Sequence, residues 1–394
     1  MRRYDLDWLR VIVFGLLIFY HVGMFFVAPD WEWHIKNNIT YEWIKYPMLF
    51  LNQWRLPILF VISGMGTSYA LSKRTAVQFA FERTKKLLLP LIFGMLVIVP
   101  PQVYLEKFSK GMIKSSYLDF WPAQAFIGKY PEGNLSWHHL WFIPYLLLFS
   151  LVLIPVFVFL RNNPNNAILR TTAKISSTRW GLYWFIVPLY LIESFIEPFF
   201  KETHALVGDW FVIINSITLF FFGFLLISVK ETFWKTVENN RKTYLIYGII
   251  GFTLLMSIIT AFEDSYTRHF TEALIKVFSF WSWILTLFGY ASRYLNKPSK
   301  TLSYCNEAVY PFYILHQTIT VILGYYLMNL QWNSFYKYSI MCAGTFLLSW
   351  VIYEFLIRRW FLIRPLFGLH NSKKATDSKS PDQSFALLFQ KKNN

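Results

Sequence analysis

The chain has 394 residues, of which 55% are hydrophobic, 21% aromatic and only 15% charged. A water-soluble domain carries about 25% charged residues, so this composition excludes an ordinary soluble protein and favours a polytopic membrane protein. The net charge is +16 at pH 7. Basic chains can also bind nucleic acids, but here the cations alternate with apolar segments. That pattern indicates membrane topology and attraction to anionic lipid, with the bilayer and not a nucleic acid as partner.

Apolar stretches of about 17–25 residues are typical of membrane-spanning helices. The sequence therefore predicts an all-α polytopic membrane protein, in which the fifth span is interrupted by acidic residues and proline and the eighth begins indistinctly. The ten predicted spans are approximately residues 8–28, 46–71, 87–105, 139–160, 182–199, 210–229, 243–262, 274–292, 307–329 and 336–357.

The distribution of Lys and Arg predicts the orientation of these spans. Cations are concentrated before the first span, in every second loop and after the last span. Cytoplasmic loops carry such an excess, so ten spans place both termini in the cytoplasm. We expect residues 1–369 to form a single transmembrane domain, and the polar residues 370–394 to form a disordered cytoplasmic tail.

The first apolar segment contains two ionisable residues, Arg10 and His21. Such residues are costly within a membrane and are therefore functional candidates. Eleven positions at about 100° each amount to about three turns, so both side chains share one helix face, about 16 Å apart along the axis. Alternatively, Arg10 extends to the cytoplasmic surface and His21 bonds a neighbouring helix. Because His21 lies too deep to reach the surface, we predict a catalytic role for His21 with Arg10.

The second span contains Arg55, which the sequence places about nine residues from the outer end. A cation at that depth needs a partner, either an acid such as Glu193 or Glu197 or an anionic substrate. Structural pairing is the favoured interpretation. Further along the span, Ser63 precedes Gly64, and small residues of this kind allow close approach of another helix.

Three further candidates lie in later spans. His316 is in the middle of the ninth span, where a buried hydrogen-bonded histidine and a catalytic one are equally consistent with the sequence. Tyr310 is six residues earlier and on a different face, so we do not pair the two. His139 and Trp141 begin the fourth span at the outer surface. Because His138 and His139 point in different directions on a helix, we expect no metal site there, but anchoring or binding of an acceptor.

A basic block precedes the third span, with Arg83, Lys85 and Lys86. Its simplest explanation is the topological signal of a cytoplasmic loop. The more specific hypothesis is a clamp for the phosphates of a nucleotide, because clustered Arg and Lys bind phosphate well.

These strings together resemble the acyltransferase 3 family of integral membrane acyltransferases, over about residues 5–358. Within that family, the chain looks most like the glucans biosynthesis protein C branch, on Asp5-Leu-Asp-Trp-Leu-Arg10 and Trp54-Arg-Leu-Pro57. The strings that match the family are Leu6-Asp-Trp-Leu-Arg10 followed by His21, Phe60-Val-Ile-Ser-Gly64, the block from Arg83 to Pro90, His139-Leu-Trp-Phe142 and Tyr310-Pro-Phe-Tyr-Ile-Leu-His316.

The resemblance implies that an acyl group, acetyl or succinyl, passes from cytoplasmic acyl-CoA to a hydroxyl of an extracytoplasmic carbohydrate, without a metal, in the bacterial inner membrane. The family's Arg-x10-His motif maps onto Arg10 and His21. Its second basic motif maps onto Arg83 and Lys86, where Lys keeps the charge but loses the paired geometry of Arg.

The remaining candidates are expected to bind or position substrates. Lys85 joins Arg83 and Lys86 in holding the CoA phosphates. The residues expected to position the substrates are Arg55, Ser63, His139, Trp141, Tyr310 and His316.

Two other functions are compatible with ten helices and intramembrane charges. A transporter of an anionic or glycan-related substrate is one, but the sequence shows no internal repeat and few acids at membrane depth. A structural subunit of a glycan-modifying assembly is the other, and in that case loss of His21 would have no effect. The sequence leaves the acyl group, the acceptor and the oligomeric state open.

Overall fold

The structure is a computed structural model that describes residues 2–370. It confirms the all-α prediction, since 76% of the chain is helical and no β-strand occurs in the described part. The α-helices are α1 (Tyr4–Met24), α2 (Lys45–Leu71), α3 (Ala76–Phe93), α4 (Pro100–Ser109), α5 (Tyr117–Ala123), α6 (Phe142–Val152), α7 (Ile154–Asn162), α8 (Ala167–Ser176), α9 (Ile186–Phe195), α10 (Trp210–Ser228), α11 (Lys230–Ala261), α12 (Tyr266–Tyr294), α13 (Lys300–Leu327) and α14 (Ser334–Val351).

Shorter helical segments continue or connect these helices. Two are single π-helical turns, which are common where a helix is locally distorted. They follow α3 (Gly94–Ile98) and α14 (Ile352–Ile357), and the 3₁₀ segments are Glu42–Ile44, His138–Trp141, Gly181–Phe185, Glu197–Phe199 and Arg364–Phe367.

Eight helices of residues 2–370 are long and apolar enough to cross a membrane, and nine if the bent pair α6–α7 forms one span. The polytopic prediction is therefore confirmed. The predicted span at 307–329 corresponds to α13, which has 28 residues. Its apolar run contains His316 and Gln317, and α13 is not among those nine. The count of ten spans and their orientation remain predictions. The predicted disordered tail, residues 370–394, lies outside the described residues except for His370.

The first span is shorter at its outer end than the sequence predicted. α1 ends at Met24, and residues 25–41 form an irregular segment that folds back over the helix end. The backbone N–H of Asn37 donates to the carbonyl of Phe25 at 2.9 Å, and Lys36 Nζ donates to three carbonyls at the end of α1. Phe25 and Phe26 are 1% exposed. The apolar run extended past Met24 because these residues are buried by protein, not by lipid.

The central helices pack closely through glycine. A Cβ atom on Gly64 of α2 would lie 1.9 Å from the carbonyl oxygen of Phe220 on α10. The contact is reciprocal, because a Cβ on Gly223 of α10 would lie 1.9 Å from the carbonyl of Val61 on α2. The Ser63-Gly64 pair therefore serves helix packing through its glycine, as expected for small residues in membranes.

Helix α1 lies inside the bundle, where it contacts α2, α12, α13 and α14. The principal hydrophobic core runs along it, from Leu6 at one end of the chain to Phe367 at the other. Because α13 is one of its main neighbours, side chains of α13 face those of α1 along most of the bundle. This arrangement places His316 of α13 beside His21 of α1.

Candidate active site

Three imidazole rings from distant parts of the chain meet near the end of α1. The ring centroid of His21 is 5.1 Å from that of His316, which is 5.2 Å from that of His139. His139 belongs to the 3₁₀ segment that begins the predicted fourth span. We refer to His21, His139 and His316 as the imidazole cluster.

Backbone carbonyls fix the protonation of two of these rings. His316 Nδ1 lies 2.7 Å from the carbonyl of Tyr313, and His139 Nε2 lies 3.0 Å from the carbonyl of Ile314. A carbonyl only accepts hydrogen bonds, so both of these nitrogens carry the proton. In the neutral rings, Nε2 of His316 and Nδ1 of His139 are therefore acceptors. His316 Nε2 is buried without a partner among the described residues.

His21 is held by ring contacts instead of hydrogen bonds. Its ring stacks on Trp33 at 5.0 Å between centroids, with 23° between the planes, and meets the edge of Tyr20 at 5.3 Å. Its Nδ1 is buried and has no hydrogen-bond partner in the described part of the chain. Unlike His139 and His316, His21 makes no hydrogen bond to the described residues through either ring nitrogen, so it is able to take up and release a proton.

Two cavities meet at this cluster. A cavity of about 680 Å³ is lined by His21, His139 and Trp141, together with loop residues such as Tyr130 and Trp137. A second cavity of about 60 Å³ is also lined by His21, His139 and Trp141. A group in either cavity can therefore reach His21. The structure brings His139, Trp141 and His316 to His21, and their role in positioning substrates remains a prediction.

Arg55 also lines the small cavity, and its predicted pairing with an acid is wrong. The side chain is 2% exposed, and the guanidinium carbon lies 3.8 Å from the ring centroid of Tyr20. Its Nε and Nη1 have no hydrogen-bond partner among residues 2–370. Glu193 instead pairs with Lys276 of α12 at 2.5 Å. The sequence could not show that a lysine eighty residues later is closer to Glu193.

A basic cluster, formed by Arg10, Arg83 and Lys86, lies about three turns of α1 away from His21. Arg83 Nη2 donates to Thr67 Oγ1 on α2 at 3.2 Å, and the Arg10 guanidinium lies 4.0 Å from the position of a Cβ on Gly66. The three cations are close enough to repel one another. Together the three cations create a net positive field, which suits an anionic ligand.

The neighbours of this cluster bear on two of the sequence assignments, those of Arg10 and Lys85. Arg10 is held by Asp7 at 3.6 Å and by Asn306 at 3.4 Å, so it contacts none of the imidazole rings. Its catalytic role remains a prediction. Lys85 is exposed and makes no hydrogen bond or ion pair with the described residues, because it lies on a different face of α3 from Arg83. The predicted role of Lys85 therefore lacks support.

A column of rings on α13 joins the two clusters. Tyr310 stacks on Tyr313 at 6.2 Å with 10° between planes, and Tyr313 stacks on His316 at 6.1 Å with 26°. Residues three apart are neighbours on a helix, so the column winds around α13. Tyr310 lies at the end near Arg83, and its hydroxyl is buried without a partner in the described part. Sequence analysis separated Tyr310 from His316 correctly but missed Tyr313 between them.

Comparison with known proteins identifies the family of the chain. The profile of the acyltransferase 3 family, described as an acyltransferase domain, matches residues 3–354. The chain belongs to the acyltransferase 3 family. It is 22% identical to proteins named Glucans biosynthesis protein C from Shigella dysenteriae serotype 1 (strain Sd197) and from Escherichia coli (strain K12). Each alignment covers 96% of this chain and 98% of the relative. The protein is therefore a membrane-embedded acyltransferase.

A second polar group, which the sequence did not predict, lies beside the large cavity of the acyltransferase. His34 Nδ1 donates to Glu106 of α4 at 2.6 Å, and the amide of Gln317 donates to His34 Nε2 at 2.9 Å. Tyr130 donates to the same carboxylate at 2.9 Å. Burial and the negative charge of Glu106 raise the pKa of Tyr130, so the phenol remains a donor. His34 and Trp33 were missed because they lie in the irregular segment 25–41.

His34, Glu106 and His138 form a group whose possible ligand atoms lie within 4.8 Å of one another. Histidine and glutamate can bind zinc. However, Glu106 already accepts from His34 and Tyr130, and Lys110 lies 2.7 Å from it. The ammonium group neutralises the one carboxylate of the group, which disfavours a further cation. The absence of a metal from the acyltransferase remains a prediction.

Ser63 lies on α2 between the two clusters and lines neither cavity. Its carbonyl accepts a hydrogen bond from Thr67 Oγ1 at 2.9 Å within the helix. Since Thr67 in turn accepts from Arg83, this turn of α2 supports the basic cluster. A direct contact of Ser63 with a substrate has no support among the described residues.

Proposed function

We propose that this acyltransferase moves a short acyl group, acetyl or succinyl, from cytoplasmic acyl-CoA to a hydroxyl of an extracytoplasmic carbohydrate. The membrane is the bacterial inner membrane, and the acceptor is a periplasmic glucan or a surface polysaccharide. One observation carries the proposal: of the two imidazoles that line both cavities, His139 is bonded to the carbonyl of Ile314, whereas His21 makes no hydrogen bond to the described residues. Two substrates that enter from opposite sides can meet at such a residue.

The acyl donor is assigned to the side of the basic cluster. Coenzyme A has a polyanionic head on a long thin arm that ends in a thioester, and clustered Arg and Lys bind phosphate. Arg10 and His21 are eleven residues apart on α1, or about 16 Å. The ring column from Tyr310 to His316 runs along the same interval. A head bound at the basic cluster therefore leaves the thioester within reach of His21.

The chemical step follows from the free imidazole. His21 takes the proton of the acceptor hydroxyl as its oxygen attacks the thioester carbonyl. The new carbon–oxygen bond gives an ester, the carbon–sulfur bond breaks, and the proton passes from His21 to the departing thiolate. General-base catalysis of this kind contributes about 10²–10⁴-fold. An acyl-histidine intermediate is the less favoured alternative, because the second substrate can reach the same residue directly.

The acceptor is assigned to the large cavity. Its volume of about 680 Å³ is within the range of small-molecule sites. Aromatic side chains of the lining, Tyr130, Trp137 and Trp141, offer flat surfaces for sugar rings, and Lys129 adds a cation. The relatives are named for glucan biosynthesis, which is the reason for preferring a glucan among carbohydrates.

The test is turnover of acyl-CoA by the purified protein in lipid nanodiscs, with a crude envelope glycan fraction as acceptor. Wild type and His21→Ala are compared with acetyl-CoA and with succinyl-CoA. The matched control is His269→Ala, because His269 contacts the carbonyl of Ser194 far from both cavities. We expect release of free CoA by wild type and control, and a loss of about 10²–10⁴-fold in His21→Ala.

Two outcomes would contradict the proposal. If folded His21→Ala retains wild-type turnover, the catalytic assignment is wrong. If the wild type binds neither CoA ester in the nanodisc, the enzyme uses a different acyl donor or the protein has a transport function.

A further inference from the structure

Gln317 has a buried amide oxygen without a hydrogen-bond donor. It follows His316 on α13, lines the large cavity and is only 3% exposed. Its Oε1 has no hydrogen-bond partner among residues 2–370. A buried acceptor without a donor is destabilising, so such atoms normally have a partner. Because Gln317 forms part of the cavity wall, a molecule in the cavity can supply the missing donor.

The orientation of this amide is fixed by a chain of hydrogen bonds that begins at Glu106. A carboxylate only accepts, so Nδ1 of His34, which lies 2.6 Å away, carries the proton. Nε2 of the neutral His34 ring is then an acceptor, and it lies 2.9 Å from the amide nitrogen of Gln317. Reversal of the amide would place two acceptors against each other. Oε1 of Gln317 therefore points away from His34.

A second chain fixes the same orientation from another direction. Thr318 donates its hydroxyl proton to the carbonyl of Ile98 at 2.7 Å, so its oxygen accepts from the amide nitrogen of Gln102 at 2.6 Å. That nitrogen also lies 3.4 Å from Nδ1 of His139, which is an acceptor. The oxygen of Gln102 then accepts from the amide nitrogen of Gln317 at 3.2 Å. Both hydrogens of the Gln317 amide are thus used, and its free atom is an acceptor.

This polarity restricts the molecule that can fill the large cavity. His21 lines the same cavity and takes the proton of the hydroxyl that is acylated. A hydroxyl has a single proton, so it cannot donate to His21 and to Gln317 at once. The two acceptors therefore require two hydroxyls on the same molecule. Adjacent hydroxyls of a sugar ring meet this requirement, and an alcohol with one hydroxyl does not.

We propose that Oε1 of Gln317 binds a second hydroxyl of the acceptor, beside the one that is acylated, and that Glu106 fixes this orientation through His34. The inference rests on the proposed function and names the residue by which the large cavity recognises a polyhydroxylated acceptor. No bond forms or breaks at Gln317. It is a binding residue, and Glu106 is a positioning residue.

The first test is Gln317→Met, which keeps the length of the side chain and removes both amide atoms. The purified protein in nanodiscs is assayed with the envelope glycan fraction, titrated by mass. We expect KM for the glycan to rise about 3–10-fold, as for a lost hydrogen bond between neutral groups. KM for the CoA ester should be unchanged, because its head is assigned to the basic cluster. The matched control is Gln53→Met, since Gln53 bonds to Ser279 and lines neither cavity at His21.

A double-variant cycle with Glu106→Leu tests the positioning. Without the carboxylate, His34 can carry its proton on Nε2, and the Gln317 amide loses one of the two chains that orient it. We expect KM for the glycan to rise a few-fold, and Glu106→Gln, which keeps an acceptor for His34, to recover part of that loss. In the Gln317→Met background, Glu106→Leu should add little. Additive effects would show that Glu106 acts through Lys110 or Tyr130 instead.

The outcomes separate this inference from the proposed function. Each variant is first compared with wild type in thermal stability and CoA binding. If Gln317→Met leaves KM for the glycan unchanged, the inference fails and the proposed function stands. If it raises KM for the glycan and for the CoA ester in the same proportion, Gln317 supports the fold and the inference also fails. If wild type transfers no acyl group to the glycan from either CoA ester, the proposed function itself is wrong.

Discussion

The imidazole cluster and the basic cluster are both built on α1, but they are held in different ways. Backbone carbonyls fix His139 and His316, and stacking on Trp33 orients His21. In the basic cluster, Arg83 donates hydrogen bonds to the hydroxyls of Thr67 and Ser150, and Lys86 is exposed. The imidazole cluster is thus a rigid buried arrangement in which some nitrogen atoms lack a hydrogen-bond partner among the described residues. The basic cluster is an accessible group of like charges.

The difference indicates a division of labour along one helix. Rigid buried groups with unused hydrogen-bonding atoms suit a reaction, because they need no rearrangement when charge develops. Accessible like charges suit the reversible binding of a polyanion, which relieves their mutual repulsion. Substitutions in the imidazole cluster should therefore lower kcat. Those in the basic cluster should raise the KM of the acyl donor. Each experiment below can contradict that division.

The largest effect is expected for His316→Phe. Phenylalanine keeps the ring in the column but removes the unpartnered Nε2 that lies beside His21. We expect kcat to fall about 10²-fold, with KM for the CoA ester within a few-fold of wild type. Initial rates in nanodiscs measure both constants, with His269→Phe as the control. A rise in KM without a fall in kcat would place the donor head at His316 and reverse the comparison.

A smaller effect of a different kind is expected for Arg83→Leu. Loss of a hydrogen bond to a charged group costs about 1.5–3 kcal/mol, or about 10–100-fold in KM for the CoA ester. The value of kcat should change little. The difference from wild type should shrink at high salt, because screening weakens accessible charges. Arg83→Lys keeps the charge and controls for the lost bonds to Thr67 and Ser150. A fall in kcat at unchanged KM would show that this side chain takes part in the reaction.

The smallest effect distinguishes two adjacent lysines. Lys86→Gln should raise KM for the CoA ester a few-fold, since Lys86 adds one exposed charge to the field of Arg10 and Arg83. Lys85→Gln should leave KM unchanged within error, because Lys85 lies on another face of α3. Titration of CoA binding at low salt resolves the difference. Equal effects would return Lys85 to the phosphate site that the sequence analysis predicted.

Much of the fold followed from local patterns. The apolar runs identified the helices, because a span of a given length is a property of consecutive residues. The placement of Arg10 and His21 on one helix, about three turns apart, also followed from the sequence alone. The outer end of α1 did not, since Phe25 and Phe26 are apolar for a different reason. They are buried under segment 25–41, and composition cannot tell burial by protein from burial by lipid.

Long-range contacts account for the rest of the errors. The sequence predicted an acidic partner for Arg55, but Glu193 forms its ion pair with Lys276. Trp33 was not considered at all, although it stacks directly on His21. Neither fact has a sequence signal, because each depends on how an irregular segment or a distant helix packs.

By itself, the sequence determined the class of the protein, the order of its helices and the residues that carry family motifs. These are consequences of hydropathy, periodicity and spacing, which act over a few turns of chain. Only the tertiary structure decided which rings meet at His21, that two cavities share this residue and that Arg55 has no acid beside it. Those facts depend on the packing of α1 against α2 and α13. In that arrangement, residues hundreds of positions apart become neighbours through the contacts of the whole bundle.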